Sequence, residues 1–481
     1  MAMAKRNVIQ SQYDALETRG RRRQPTKKTS SEDVILPQRK REQLTSNTRD
    51  LRRNFEMVAW AIRRHLDYVA SFRWQATTDD QDLNKELEAW MKRATKPAMF
   101  DAAGRHGLDR FIRIMEAERT VNGDVFCLKQ NDGTIMAIEG DRVGTPTGGG
   151  ARLKGIDLTE FHNGIKTDRR GKLSRIMVCE RDSGSLTNPR VLPADFFWHL
   201  FYIDRFDQYR GVSPLACALN RFRDTYEGME YALARAKVEQ LFALILTRSG
   251  DVSMGDISGG VDGDGNEDRS SYEIDFGQGP QMLDMDPGDD AKFLSSDNPG
   301  KNFKDYQQFA SMVALKALDI PYSFFDESFT NFYGSRGSLM QYLKSVDAKR
   351  ADLAEFLYSW TGWRMSVAIR DGELRVGNRR IPELVGEWRP VGVPWWDPSK
   401  EIDGHLKSIA AGLDNPQRIA KEATGTDYFE NLELRKQAED YAEQLGVEVS
   451  FTASNQQAMR AGDTEGEGDT EETPTEDNAD E

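Results

Sequence analysis

The sequence contains few of the residues on which metal sites and disulfide frameworks depend, and no apolar run of the kind that spans a membrane. Its 481 residues include three cysteines and five histidines, which do not occur at the spacing of metal ligands. We expect the cysteines to be reduced and buried, as in a cytosolic protein. No run of about eighteen apolar residues occurs, so no membrane span is expected. The residues concerned are Cys127, Cys179, Cys217, His65, His106, His162, His199 and His405.

Motifs of catalysis are also missing. The sequence has no Gly-x-Ser-x-Gly nucleophile elbow. The glycine-rich run 144–150 lacks the lysine followed by Ser or Thr that completes a phosphate-binding loop. His199 lies in an aromatic segment, Phe196 to Leu200, and we expect a structural role for it. The sequence therefore predicts no enzyme, no catalytic residue and no cofactor.

One acidic loop matches a calcium-binding pattern in part. Asp262, Asp264, Asn266, Asp268, Ser270 and Glu273 occupy the ligand positions of an EF-hand loop. Glu267 replaces the glycine that the sharp turn of such a loop requires, and the flanking residues do not predict helices. We therefore predict an acidic loop without a metal. A metal-dependent DNA-processing enzyme that uses this loop is an alternative function.

The net charge of −14 is distributed unevenly. Residues 1–53 carry fourteen Lys and Arg against six Asp and Glu, whereas residues 461–481 carry ten acids and no base. The protein as a whole therefore lacks the positive charge that is typical of nucleic-acid binding. We predict a basic flexible arm over residues 1–42 and an acidic disordered tail over 456–481. A monomeric nucleic-acid-binding protein that uses this arm is a second alternative.

Apolar spacing predicts an α+β protein. It indicates helices over 46–74, 82–94, 108–122 and 214–248, and a helical region over 399–445. Asn131-Asp132-Gly133 predicts a hairpin between residues 124–129 and 134–138. Further short strands fit 164–167, 176–180 and 197–202, and short pieces at 363–368, 374–376 and 388–390 could rejoin this core. An antiparallel sheet follows from this pattern.

Residues 302–360 form two helical runs joined by an aromatic loop. Pro321 lacks an N–H and disfavours helical geometry before it, so the first helix should end near Asp319. The second run places Leu339, Leu343, Val346, Leu353, Leu357 and Trp360 on one stripe. Periodicity alone fits an ordinary core hairpin equally well.

The residues of this stretch resemble the lambda-type family of tailed-bacteriophage portal proteins. The resemblance lies in Ile320-Pro321 after a helix, and in Asn331 to Arg336 at the start of a long helix. Segments in the expected order add to it: Gly123–Phe126, Ile138–Val143, Asp204–Leu215, and Pro394–Glu401 with Gly412-Leu413. Together they cover roughly residues 45 to 450.

The resemblance implies a multi-domain portal architecture and a dodecameric ring at one capsid vertex. The wing would comprise residues 43–212 and 335–390, the stem helices 213–249 and 302–319, and the β-rich clip 250–301. The tunnel loop would comprise 320–334 and the helical crown 391–455. Double-stranded DNA would pass through the central channel during packaging and ejection.

The resemblance also implies sites and partners. Phe324, Phe325, Asp326, Asn331 and Arg336 would face DNA, although the aromatic side chains could instead pack against a neighbouring subunit. Asp262, Asp264 and Glu273 of the clip would contact the terminase large subunit or a head-tail adaptor. The other partners would be major capsid and scaffold proteins, with no membrane. Assembly would occur in the bacterial host cytoplasm, and the final location would be the virion.

Overall fold

The computed structural model describes residues 31–146, 157–182, 184–241, 244–248, 289–293, 301–326, 332–392 and 398–447. Predictions for residues 1–30, for the acidic loop Asp262–Glu273, for Asn331 and for the acidic tail lie outside these ranges. The chain divides into two compact units, Met1–Trp388 and Arg389–Glu481.

The first unit combines helices with short antiparallel strands. Its helices are α1 (Glu32–Ile35), α2 (Gln38–Asn54), α3 (Glu56–Val69), α4 (Gln81–Ala94), α5 (Pro97–Phe100), α6 (Leu108–Asn122), α7 (Leu219–Leu241), α8 (Lys301–Leu315), α9 (Phe332–Arg370) and α10 (Ile381–Leu384). Its strands are β1 (Phe72–Gln75), β2 (Asp124–Lys129), β3 (Ile135–Glu139), β4 (Ile165–Thr167), β5 (Leu173–Asp182), β6 (Ser185–Pro193), β7 (Phe197–Phe201), β8 (Leu244–Arg248) and β9 (Asp289–Phe293), and β10 (Glu387–Pro390) begins at its end. The predicted mixture of helices and antiparallel sheet is confirmed.

The strands form small separate sheets. The predicted hairpin is confirmed as β2 and β3, and β7 pairs with the other edge of β2. A second sheet has the order β4-β5-β6, while β8 pairs with β9 and β1 with β10. Gly133, at φ 85°, supplies the left-handed conformation that the β2–β3 turn requires.

The core of the first unit lies between α3, α6 and α9. The apolar residues at helical spacing within the predicted segment 46–74 are all buried: Leu51, Phe55, Val58, Ile62, Leu66 and Val69. On α9, Val346, Leu353, Leu357 and Trp360 are buried as well. The ring of Trp360 lies 5.1 Å from that of Phe100 and 6.3 Å from that of Trp388. Both stripes predicted from sequence therefore face the core.

The helix predicted over residues 46–74 is instead two helices. Phe55 separates α2 from α3 with an extended backbone (φ −117°, ψ 111°), and its ring packs 6.3 Å from Phe222 and 5.5 Å from Tyr226. The predicted basic arm is wrong for residues 31–42, which include α1 and the first turn of α2. Arg41 is buried, and its guanidinium donates to the carbonyl oxygen of Gly211 at 2.7 Å.

Three further predictions need correction. The helix predicted over 214–248 ends at Leu241, and the apolar residues after it form β8, since spacing alone does not separate a short strand from a helix. Residues 363–368, predicted as a separate piece, continue α9. Cys127 and Cys179 are buried as expected, but Cys217 is exposed in the turn before α7.

A buried ion cluster connects α3, α6 and α9. Glu116 accepts from Nε2 of His65 (2.8 Å) and Nε of Arg119 (2.8 Å), and Arg119 reaches Asp352 of α9 at 2.8 Å. Burial alone would raise the pKa of Glu116, but the positive charge of Arg119 and the hydrogen bond with His65 outweigh it and lower this pKa to about 2. The ionised carboxylate is therefore part of the folded state.

We expect the stability difference between wild type and Glu116→Gln to depend on pH. The depressed pKa contributes stability that is present above the unfolded value of about 4.3 and is lost as the pH falls towards the folded value. The difference should be largest near pH 7 and should narrow below about pH 4.3, by roughly 1.4 kcal/mol for each pH unit. Urea titrations at stepped pH measure it, and a difference that stays constant with pH would contradict this role.

The second unit is helical. It contains α11 (Pro398–Ala410), α12 (Pro416–Ile419) and α13 (Tyr428–Leu445), with a π-helical turn between the last two. The predicted helix start at Asn415-Pro416 is confirmed, since the side chain of Asn415 accepts from the backbone N–H of Arg418. Large apolar side chains on α11 and α13 are exposed, among them Leu406, Phe429, Leu434, Tyr441 and Leu445.

Candidate functional site

The predicted DNA-facing loop begins at a sharp turn after α8. The chain forms a 3-10 turn at Lys316–Leu318, adopts the left-handed conformation at Asp319 (φ 62°) and continues through Ile320-Pro321. The predicted helix end near Asp319 is confirmed. Ile320 and Pro321 are buried, so this half of the loop is attached to the core.

Asp319 connects this turn to α9. Its carboxylate accepts from Ser345 at 2.6 Å and from Lys349 at 2.9 Å, and Lys349 also donates to the carbonyl of Leu318 at 3.0 Å. Burial would raise the pKa of Asp319, but the hydrogen bonds from Ser345 and Lys349 lower it below its ordinary value. A left-handed conformation at a residue other than glycine is thus stabilised by side chains of α9.

The two adjacent phenylalanines differ in their surroundings. The ring of Phe324 stacks 5.8 Å from Tyr68 and meets Tyr342 edge-on at 5.4 Å. Phe325 contacts Trp60 edge-on at 5.5 Å, yet 46% of its surface is exposed. Phe324 therefore has packing partners within its own subunit, whereas Phe325 can still contact another molecule.

Two of the other predicted site residues, Asp326 and Arg336, lie within the described ranges. Asp326 follows the turn that contains Phe324 and Phe325, and Arg336 lies in the first turns of α9. Both make interactions within the chain. Asn331 and the clip residues Asp262, Asp264 and Glu273 lie outside the described ranges.

Helices α7 and α8 pack side by side. The turn before α7 contacts the turn after α8, so the two helices run antiparallel. A Cβ atom at Gly228 of α7 would lie 2.4 Å from Nε2 of Gln307 on α8, which shows how closely the helices approach. The side of α8 that includes Gln307, Ala310, Ser311 and Ala314 is buried.

The opposite side of α8 is exposed and carries three large apolar side chains next to Asp305. Tyr306, Phe309 and Met312 follow one another at three-residue spacing, and Tyr306 and Phe309 are each 59% exposed. On α7 the stripe that begins at buried Phe222 continues to Met229 and Leu233, which are exposed. We call these five side chains (229, 233, 306, 309 and 312) the stem face. A helix with apolar residues on two sides is normally covered on both.

A buried carboxylate joins segments that are distant in the sequence. Asp124, at the start of β2, accepts from Nε of Arg210 (2.6 Å), from Nη2 of Arg41 (3.3 Å) and from the backbone N–H of Gly211 (3.2 Å). Burial would raise the pKa of Asp124, but Arg210 and Arg41 keep it well below the ordinary value. His199 stacks between Phe126 and Phe201 with Nε2 3.5 Å from Asp124, which fits the structural role expected of it.

The contacts of Asp124 give a structural reason for two of the sequence motifs, Gly123–Phe126 and Asp204–Leu215. Gly123-Asp124 and Arg210-Gly211 meet so closely that a Cβ atom on Gly211 would lie 2.0 Å from the carbonyl oxygen of Gly123. Arg210 also donates to the carbonyl oxygens of Val143 (2.7 Å) and Gly140 (2.6 Å). Arg41 belongs to the same cluster but was assigned to the arm, because a single arginine in a basic segment gives no signal of burial.

Among the described residues, no helix is both long and apolar enough to span a membrane. The same part of the chain contains no group of three His, Cys, Asp or Glu side chains placed to bind a metal ion.

A mixed helix and sheet unit with an uncovered apolar face on a helical pair is typical of a subunit of a larger assembly. Residues 17–350, more than half of the chain, match the family model for phage portal proteins of the lambda family. The chain belongs to that family, which confirms the resemblance seen in the sequence.

A comparison with curated proteins found no match. Solved structures of similar fold come from gene transfer agent (GTA) particles, each 12% identical, with 78% of this chain and 92% of the other chain covered. They are the neck of an empty GTA particle computed with C6 symmetry (TM-score 0.48), the virion of a native GTA particle (0.47) and the neck of a native particle computed with C12 symmetry (0.46).

Proposed function

We propose that this portal protein forms a dodecameric ring at one capsid vertex, through which double-stranded DNA is packaged and ejected. The stem face is the observation that carries the proposal. Its α8 residues, Tyr306, Phe309 and Met312, are exposed on the side away from the contact with α7. An apolar face of this kind is stabilised when another subunit covers it.

The ring follows from the geometry of such a contact. The exposed residues on α8 differ from those on α7, so one subunit can place its α8 against α7 of the next. A contact between two different surfaces repeats from subunit to subunit and closes into a ring when the rotation allows. The stem helices of neighbouring subunits would then surround the channel.

We propose the remaining parts by analogy with the family. Wing, clip, tunnel loop and crown keep the boundaries expected from the sequence, except that residues 31–42 join the wing. The clip, with Asp262, Asp264 and Glu273, would contact terminase and head-tail adaptors, and the ring would also meet capsid and scaffold proteins. Assembly in the host cytoplasm would precede incorporation into the virion.

The tunnel loop is proposed to contact moving DNA through Phe325, Asp326, Asn331 and Arg336. DNA has to slide through the channel, and each strong contact between a cation and a phosphate adds affinity that would slow it. Phe325 suits this role because nearly half of its surface is exposed while Trp60 limits its movement. Phe324 is also among the residues expected to face DNA. Its ring packs against Tyr68 and Tyr342, so we propose that it holds the loop against the core of its own subunit.

We expect alanine at the two phenylalanines to have different effects. Phe324→Ala removes two ring contacts and should lower the free energy of unfolding by roughly 2 kcal/mol, less than for a fully buried phenylalanine. Phe325→Ala should cost about 1 kcal/mol or less and should change the rate of DNA packaging instead. Urea unfolding and a packaging assay on both variants check this, and equal effects of the two on both readouts would contradict it.

Native mass spectrometry of the purified chain, with negative-stain images, tests the proposed function. A ring of about twelve subunits with a central hole wide enough for duplex DNA is the expected result. A chain that remains monomeric, both alone and when co-expressed with scaffold and capsid proteins, would overturn the proposal.

A further inference from the structure

The end of β4, the start of β5 and the turn between them form a strongly basic surface. Residues 166–175 contain the five cations Lys166, Arg169, Arg170, Lys172 and Arg175, and Asp168 is the only acid. All of these cations except Lys166 are exposed. We call residues 166–175 the basic hairpin.

The register of the strands concentrates this charge. Lys166 lies directly opposite Arg175 in the β4–β5 pair, an arrangement of like charges that costs stability. Lys166 forms an ion pair with Glu160. Among the described residues, no carboxylate is within ion-pair distance of Arg169, Arg170, Lys172 or Arg175.

Several other arginines of the first unit are paired with acids. Arg49 lies 2.9 Å from both Glu139 and Asp141, and Arg113 lies 2.8 Å from Asp67. Arg379 contacts both Asp79 and Asp80. The basic hairpin is distinguished by density, because four exposed cations without an acidic partner in the described part of the chain lie within the seven residues 169–175. This concentration of charge indicates an anionic partner from outside the described chain.

The tip of the hairpin is ordered by its own hydrogen bonds. The carboxylate of Asp168 accepts from the backbone N–H groups of Arg170 (2.8 Å) and Lys172 (2.9 Å), so it is engaged in the turn. Gly171 has φ 81°, and a Cβ atom there would lie 3.1 Å from the hydroxyl oxygen of Tyr209. The cations are thus presented from a defined turn that packs against the loop before Arg210.

We infer that the basic hairpin binds the phosphate backbone of double-stranded DNA. Exposed Arg and Lys side chains make most contacts to phosphates, and a two-stranded ribbon has the width that the major groove admits. The protein as a whole carries a net charge of −14, so binding depends on a local excess of cations such as this one.

This contact goes beyond the proposed function, because it lies outside the tunnel loop and does not require a ring. It would attach DNA to the first unit without regard to sequence. If the hairpin does not bind DNA, the protein can still form a ring. If the protein does not form a ring, DNA binding by the hairpin can still be measured on the single subunit.

The test measures the affinity of the full-length protein for a labelled 30-base-pair duplex at stepped salt concentrations. The substitutions Arg169→Gln, Arg170→Gln and Lys172→Gln together should weaken binding at low salt by about tenfold or more. They should also reduce the slope of log affinity against log salt by about 3, one for each lost phosphate contact. These three residues are exposed, so we expect the variant to fold like the wild type. Circular dichroism checks this.

A matched variant changes the same number of charges on α4. Lys85→Gln, Lys92→Gln and Arg93→Gln, all at exposed positions, should leave the slope unchanged. An equal loss of DNA affinity in both triple variants would show that only net charge matters and would overturn the inference. An unchanged slope in the hairpin variant would also overturn it. Binding of a labelled peptide of residues 461–481 that disappears in the hairpin variant, with DNA affinity unchanged, would assign the surface to an acidic protein segment instead.

Discussion

Asp124→Asn should lower the free energy of unfolding of the first unit by about 3–5 kcal/mol, the cost of leaving buried charge without its partner. The substitution preserves size but leaves two buried guanidinium groups, Arg210 and Arg41, without a carboxylate. It also weakens the contact between β2 and the Arg210-Gly211 segment. Urea unfolding of the wild type and the variant at pH 7 gives the difference directly.

Asp67→Asn is the control for this result. Asp67 also pairs with an arginine, Arg113, at 2.8 Å, but both side chains are more than a third exposed. Water screens such a pair, and its loss should cost about 1 kcal/mol or less. If both variants lost the same amount, the Asp124 cluster would contribute no more than a surface ion pair.

The pH dependence of this cluster has a definite sign. The pKa of Asp124 is depressed in the folded state, so its contribution to stability is complete above the unfolded value of about 3.9 and is lost as the pH falls below it. Glu116 acts in the same direction. The first unit should therefore lose stability as the pH falls below these unfolded values, since two of its buried carboxylates must remain ionised.

Periodic segments could be predicted from the sequence because local pattern and tertiary environment agree in them. Helix α6 and the β2–β3 hairpin lie where their apolar spacing and turn residues place them. Strand β6 could not be predicted, because Pro189 and Pro193 disfavour a strand. In the structure it is also irregular, since Asn188 has a positive φ of 48°. The break at Phe55 could not be predicted either. Its apolar side chain fits the helical spacing of its neighbours, although its backbone is extended.

The site was predictable only in part, for a related reason. The turn at Asp319 could be placed because Pro321 ends a helix wherever it occurs. The Asp124 cluster joins residues 41, 124 and 210, and no local pattern links an arginine to a carboxylate 83 positions away. The difference between Phe324 and Phe325 depends on Tyr68, Tyr342 and Trp60, which come from other helices. Long-range contacts of this kind require the structure.

Phe309→Glu should prevent ring assembly while leaving the subunit folded. Phe309 is 59% exposed in the single chain, so a carboxylate there remains in water and costs little before assembly. In the ring the same carboxylate would be buried against an apolar neighbour and would also replace an aromatic anchor. A loss of at least about 2 kcal/mol for each interface, roughly thirtyfold in the association constant, is expected. Every subunit of the proposed ring would make this contact, so the effect would multiply around the ring.

Lys304→Glu on the same helix is the control for assembly. Lys304 is exposed and lies five residues from Phe309, about 140° around the helix and therefore off the stem face. It also makes the net charge more negative, by two units, yet rings should form as in the wild type. Native mass spectrometry gives the subunit number of each variant, and circular dichroism verifies folding. If Phe309→Glu still forms rings, the stem face is not the subunit interface. If neither variant forms rings, the added negative charge is the cause.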